Sequence, residues 1–256
     1  MENQKERYIL GVDLNKGCMG VAIAKYDGET VDMLKVSHIK TKSPYKGTTG
    51  LLSQATSFKK EFIEKYKDIG ITDIVIEEPP PYSEHNNEIA SLLRYNGMIS
   101  MVIYEVTGIV PRFITSRDAR KYAFPDLMSV RKYGINERIR SVEECMGDVE
   151  NNTMYLFGSY PFKCDKKYII WNKISEMFPD IKWEYDKNEL LKTENFVVSD
   201  SIVSILGYIN KEKYEEDKPK ITNFTKKEFD GNTRIDYTME FCGEKYEKFI
   251  QFESLV

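Results

Sequence analysis

Three carboxylates stand where a carboxylate is costly. Asp13 interrupts the apolar run Tyr8-Ile-Leu-Gly-Val-Asp-Leu14, Glu77 closes Ile74-Val-Ile ahead of Glu78 and three prolines, and Asp200 lies within Phe196-Val-Val-Ser-Asp-Ser-Ile-Val203. An anion in such surroundings needs a positive partner, and a metal ion is one. Each acid also has an ordinary reading. Asp13 can accept hydrogen bonds from the Asn15-Lys16-Gly17 turn, Glu77 and Glu78 can be a solvated strand exit, and Asp200 can complement a helix dipole. Together they make the oxygen-only donor set that Mg²⁺ or Mn²⁺ prefers. Such a set suits phosphodiester hydrolysis, in which two ions about 4 Å apart activate a water and stabilise the leaving oxygen.

For these groups to meet, several elements must converge. Tyr8 to Leu14 and Met19 to Tyr26 are rich in β-branched and aromatic residues around a turn, which predicts a hairpin; a third strand follows from Val31 to Ile39. Leu51 to Tyr66 repeats apolar residues at helical spacing, and Ile74 to Ile76 reads as a buried strand. A long helical pattern runs from Asn86 to Thr107, then a strand from Val110 to Thr115 and helices from Tyr168 to Phe178 and Phe196 to Ile209. The order β-β-β-α-β-α-β-α predicts an α/β fold in which strands one and four are neighbours and a late helix brings the third acid to their edge. From Ile221 to Phe252 the sequence alternates like two or three strands around Asp230-Gly231-Asn232. The expected organisation is residues 1–210 as one domain and 211–256 as a β-rich extension.

The charge distribution points to a polyanion. Residues 112–140 hold eight basic side chains (Arg112, Arg117, Arg120, Lys121, Arg131, Lys132, Arg138, Arg140) against three acids, whereas the whole chain carries −4. Phosphate contacts dominate nucleic-acid affinity, so this stretch is the expected DNA surface, with a solvated loop and helix face as the plain alternative. Lys40, Lys42 and Lys46 form a weaker basic loop. Tyr82 lies just past Glu77, where an aromatic ring can stack on an unpaired base or simply pack, and His85 in the same loop can move a proton.

The segments Tyr8 to Asp13, Ile74 to Pro79, the long helix with Leu93-Arg-Tyr-Asn-Gly-Met-Ile-Ser100, and Ser199-Asp-Ser-Ile202 together resemble the RuvC-type Holliday junction resolvases, especially their phage-like branch. The resemblance covers about residues 8–210. It implies an RNase H-like fold, a mixed five-stranded sheet flanked by helices. It also implies a homodimer and divalent-metal-dependent nicking of branched double-stranded DNA such as four-way junctions. Asp13, Glu77 and Asp200 match the family's metal ligands. Glu78 is the alternative to Glu77, because adjacent strand residues face opposite ways. Many family members carry a further acid or histidine one turn before the last aspartate; here Val197 stands there, Glu194 is the nearest upstream acid, and the number of ions is open.

Length and composition set the frame. With 256 residues, 41% hydrophobic and 30% charged, the chain can bury a sizeable core, and it contains no apolar run of membrane-spanning length. The N-terminus lacks a signal-like apolar stretch, so the expected location is the cytosol, the host's if the gene is phage-borne. Cys18, Cys145, Cys164 and Cys242 are too scattered for a metal knuckle and are expected to be thiols. Two other classes compete: a non-catalytic DNA-binding protein on the same fold, and an ATP-using actin-like or sugar-kinase fold. The latter shares the Gly-Val-Asp opening but requires a better phosphate loop than Asn15 to Met19.

Overall fold

A computed structural model describes residues 6–15, 17–40, 46–79, 86–127, 165–217, 219–229 and 232–253. The contacts among them divide into two compact units. The first comprises the described residues of Met1–Ala119 with Lys167–Tyr208, the second those of Arg120–Lys166 with Ile209–Val256.

In the first unit, β1 (Arg7–Leu14), β2 (Cys18–Tyr26) and β3 (Val31–Lys40) form an antiparallel meander. Strands β4 (Asp73–Glu78) and β5 (Arg112–Thr115) extend it parallel to β1, giving the order β3-β2-β1-β4-β5. This is the mixed, helix-flanked five-stranded sheet of an α/β fold. β5 begins at Arg112, two residues later than Val110, because Pro111 has no N–H to give to a ladder.

The two faces of the sheet are built differently. Leu10, Val12, Met19, Val21, Ile74 and Ile76 point to one side and form the main core with Phe58, Phe62, Tyr95, Ile99 and Ile103. Those partners come from α1 (Gly47–Phe58), its continuation as a π-helical segment (Lys59–Ile63), and α2 (Asn86–Thr107). The first helix thus starts ahead of Leu51 and changes its winding at Lys59 rather than running evenly to Tyr66.

The opposite face takes small residues. Gly11 and Gly20 are followed closely by the backbone of a later helix, Glu194–Tyr214, and Ala22 and Ala24 beside them are fully buried. Further elements are α3 (Ser116–Ala123) and α4 (Lys166–Met177), and Glu194–Tyr214 is α5. α5 is longer at both ends than Phe196 to Ile209. Glu194 in its first turn and Lys211 and Lys213 in its last complement the helix dipole and favour the extra turns.

In the second unit β6 (Lys220–Phe229), β7 (Asn232–Phe241) and β8 (Glu244–Glu253) form an antiparallel meander. Tyr237, Met239 and Phe241 are buried on one face, and Phe241 packs on Tyr122 with ring centroids 5.4 Å apart. Among the described residues no helix is long and apolar enough to cross a membrane.

Candidate active site

The β1–β4 ladder pairs Val12 with Ile76 at its C-terminal end, so Asp13 and Glu77 occupy the next position on each strand. Opposed residues of parallel strands share a face, so both carboxylates lie on the side opposite Val12 and Ile76, away from the main core. Glu78 falls on the other face, is exposed, and pairs in register with Thr115. Period-two alternation therefore separates the two glutamates as expected.

Asp200 reaches this edge because α5 lies directly on glycine. A Cβ on Gly20 would fall on the backbone of Val197 and Val198, and one on Gly11 would meet the Ser201 carbonyl and sit 2.6 Å from Ile205 Cγ1. Gly20 is the register partner of Asp13, and Gly11 lies two residues before it on the same face. Asp200 is therefore held between two anchor points, one at the Asp13 row and one a row below. At the far end of the helix Tyr208 donates to Asp73 (3.2 Å) and accepts from Arg7 (3.2 Å). These contacts fix α5 antiparallel to β1, with its N-terminal turns at the carboxylate edge.

The helix tolerates so close an approach because its buried polar residues satisfy themselves. The hydroxyls of Ser199, Ser201 and Ser204 donate to the carbonyls of Asn195 (2.9 Å), Val198 (2.7 Å) and Asp200 (3.0 Å). Buried Asn195 clamps the preceding loop, accepting from the Glu184 amide (3.0 Å) and donating to its carbonyl (2.6 Å). Nothing in the sequence around Asn195 marks this role.

Asp13 is 9% and Asp200 7% exposed, while Glu77 is half-buried. The donor chemistry of the three suits a hard divalent cation. Among the described residues, however, no group of three His, Cys, Asp or Glu side chains is close enough to hold one ion, so the expected three-carboxylate cluster is not ready-formed. Glu194 is committed elsewhere. It ion-pairs with Lys40 at the β3 side of the sheet, and that lysine first and its own backbone amide second hold its carboxyl below the usual range.

His38 occupies the same row as Gly20 and lies 3.6 Å from Glu184, which also pairs with Lys192 at 3.0 Å. Burial first, then the carboxylates of Glu194 and Asp13, push the Cys18 thiol up to about 11. Cys18 is thus a neutral thiol at physiological pH.

The sequence matches no protein-family model and no curated protein. Among solved structures the chain is similar to RuvC of Thermus thermophilus, with a TM-score of 0.48 and 9% identity over 80% of this chain and 95% of that one. The same protein in complex with Holliday junction substrate gives a TM-score of 0.48 and 8% identity over 78% and 92%. A Ppx/GppA family member from Aquifex aeolicus gives 0.35 and 11% over 79% and 90%.

The basic residues divide. Arg112 is exposed on β5, opposite Val75 and two positions before Ile114, the partner of Glu77. α3 starts where β5 ends, capped by Thr115, whose Oγ1 accepts from the Asp118 amide at 3.1 Å. It carries Arg117, Arg120 and Lys121 at spacings of three and four, hence on one side. Arg117 is exposed. Lys121 instead lies over the rings of Tyr122 (4.9 Å) and Phe241 (5.1 Å), so part of its charge is engaged in the second unit. Tyr82, His85, Lys42, Arg131, Lys132, Arg138 and Arg140 lie outside the described residues.

Proposed function

We propose that this chain is a divalent-metal-dependent endonuclease that hydrolyses phosphodiester bonds in branched DNA, four-way junctions foremost. One observation carries the reading: Asp13 and Glu77 are the penultimate residues of adjacent parallel strands, on one face, and α5 is seated on Gly20 and Gly11 so that Asp200 lies between those anchors on the helix.

Asp13, Glu77 and Asp200 would hold Mg²⁺ or Mn²⁺, which when bound activates a water and stabilises the leaving oxygen. The chain's own contribution is positioning. The serines of α5, bonded to the helix's own carbonyls, and the Asn195 clamp hold the helix that carries Asp200; Arg117 supplies a phosphate contact just past the end of β5, and Arg112 one from the start of that strand. Arg120, Lys121, Arg131, Lys132 and Tyr82 are further candidate DNA contacts on the strength of the sequence. Residues 1–210 form the nuclease domain and 211–256 an extension to it. A second copy of the chain completes the enzyme against the outer side of α2, where Leu93, Met101 and Tyr104 are each more than half exposed.

The test is a nicking assay on synthetic four-way junctions with and without Mg²⁺. Metal-dependent cutting by the wild type, lost in Asp13→Asn with junction binding retained, is expected. Equal cutting by the Asp13→Asn chain would overturn the assignment. The second reading, a branched-DNA-binding protein without catalysis, is favoured by the absence of a ready-formed three-donor group among the described residues. It predicts tight junction binding and no nicking with any divalent ion.

A further inference from the structure

A chain of aromatic rings starts one helical turn from Asp200. Phe196 and Asp200 are four residues apart on α5, which places their Cβ atoms about 5–6 Å from each other on one side of the helix. The Phe196 ring lies 6.4 Å from that of Tyr168 on α4, Tyr168 lies 5.1 Å edge-on to Trp171, and Trp171 lies 6.1 Å edge-on to Trp183. This group does not close into the core, since Tyr168 remains 49% exposed. Its backing is rigid, because α5 is locked on glycine and Trp171 sits one turn along α4 from Tyr168, on the same side as Tyr168.

We propose that Tyr168, backed by Phe196 and Trp171, is a stacking platform for an unpaired base next to the scissile phosphate; this rests on the nuclease reading above. An exposed ring held by two others costs little entropy to order, and any base offers a π-face to it. A fully paired duplex keeps its bases stacked on each other and offers none. The platform therefore selects DNA whose bases open beside the cut, as at a branch point, and does so without reading sequence.

The two tryptophans of the chain, Trp171 and Trp183, both belong to this group, so their emission reports on it directly. The full chain carrying Asp13→Asn, which leaves the DNA intact, is titrated with a four-way junction bearing 2-aminopurine beside the branch point, and with a linear duplex of the same sequence. Tryptophan emission and 2-aminopurine emission are both expected to fall with the junction and not with the duplex. Tyr168→Leu on the same background should abolish the 2-aminopurine change and weaken junction binding about tenfold, while Tyr168→Phe keeps both. Junction binding with both emissions unchanged overturns the platform, as does a Tyr168→Leu chain that still quenches 2-aminopurine. If Tyr168→Leu lowers the melting temperature, the tryptophan signal of the parent chain decides alone. Cutting is measured separately on the wild type: quenching without cutting removes the nuclease reading only, and no binding to any branched DNA removes both.

Discussion

The backbone carbonyl of Val197 fills the place that a Cβ on Gly20 would take, and Gly20 stands directly across the ladder from Asp13. The glycine is what lets α5 reach the carboxylate edge. Gly20→Ala must push the helix away from the sheet, since backbone cannot yield as a flexible side chain does. We expect a loss of about 1–3 kcal/mol in stability by thermal or urea unfolding, together with loss of junction cutting. Gly97, in mid-helix with nothing within 4 Å of an added Cβ, should show the opposite sign, Gly97→Ala raising stability by about 0.5–1 kcal/mol.

Glu77 and Glu78 are neighbours with opposite fates. Glu77→Gln removes charge on the Asp13 side of the sheet and should slow metal-dependent cutting by about a hundredfold or more. Glu78→Gln acts on the other face and should leave the rate within about twofold. Single-turnover cutting rates measured side by side check this; equal losses would place the wrong glutamate at the site.

Arg117 is exposed on the first turn of α3. As a phosphate contact it predicts that Arg117→Ala reduces the slope of log affinity against log salt by about one, measured by junction binding across a salt series. Lys121→Ala should differ. Its ammonium lies on Tyr122 and Phe241, so its removal should also lower stability by about 0.5–1 kcal/mol.

Asp73 ties the start of β4 to the start of β1 and to α5. Burial by itself raises its pKa, but hydrogen bonds from Arg7 (2.7 and 2.9 Å), Thr72 (2.7 Å) and Tyr208 outweigh that, and the carboxyl is held below its ordinary value. The folded state therefore binds this proton less readily than the unfolded chain. The resulting stability is present above the ordinary carboxylate range and is lost as pH falls through the lowered value. Asp73→Asn should lower stability at neutral pH and flatten the acid limb of the stability curve below about pH 4, which urea unfolding across pH would show.

Leu93, Met101 and Tyr104 follow one side of α2 at spacings of eight and three, the side opposite buried Tyr95, Ile99 and Val102. Burial of this stripe against a second copy predicts that Met101→Asp shifts a dimer to monomer in sedimentation equilibrium, with the monomer's melting temperature unchanged. A wild type that sediments as a monomer at all concentrations would refute the dimer.

Much of this protein could be read from the one-dimensional string. Alternating and uniformly apolar runs located all five strands of the first sheet and marked residues 221–252 as two or three strands without fixing the number, and helical spacing located α2, α4 and α5. The reason is that burial imposes a local period on each element, whatever its partners. Asp13, Glu77 and Asp200 stood out for the same reason, as charges inside apolar runs.

What tertiary structure alone decided is which groups meet. The pairing of Val12 with Ile76 put Asp13 beside Glu77, and no local pattern specifies a parallel register across more than sixty residues. The seat of α5 on Gly11 and Gly20 depends on backbone approach, which leaves no trace in hydropathy. Glu194 was a candidate ligand by proximity in sequence, but Lys40, at the end of β3, claims it. The same physics joins Phe196 to Tyr168. Two aromatic residues on separate helices become one surface only when the fold brings their helices together.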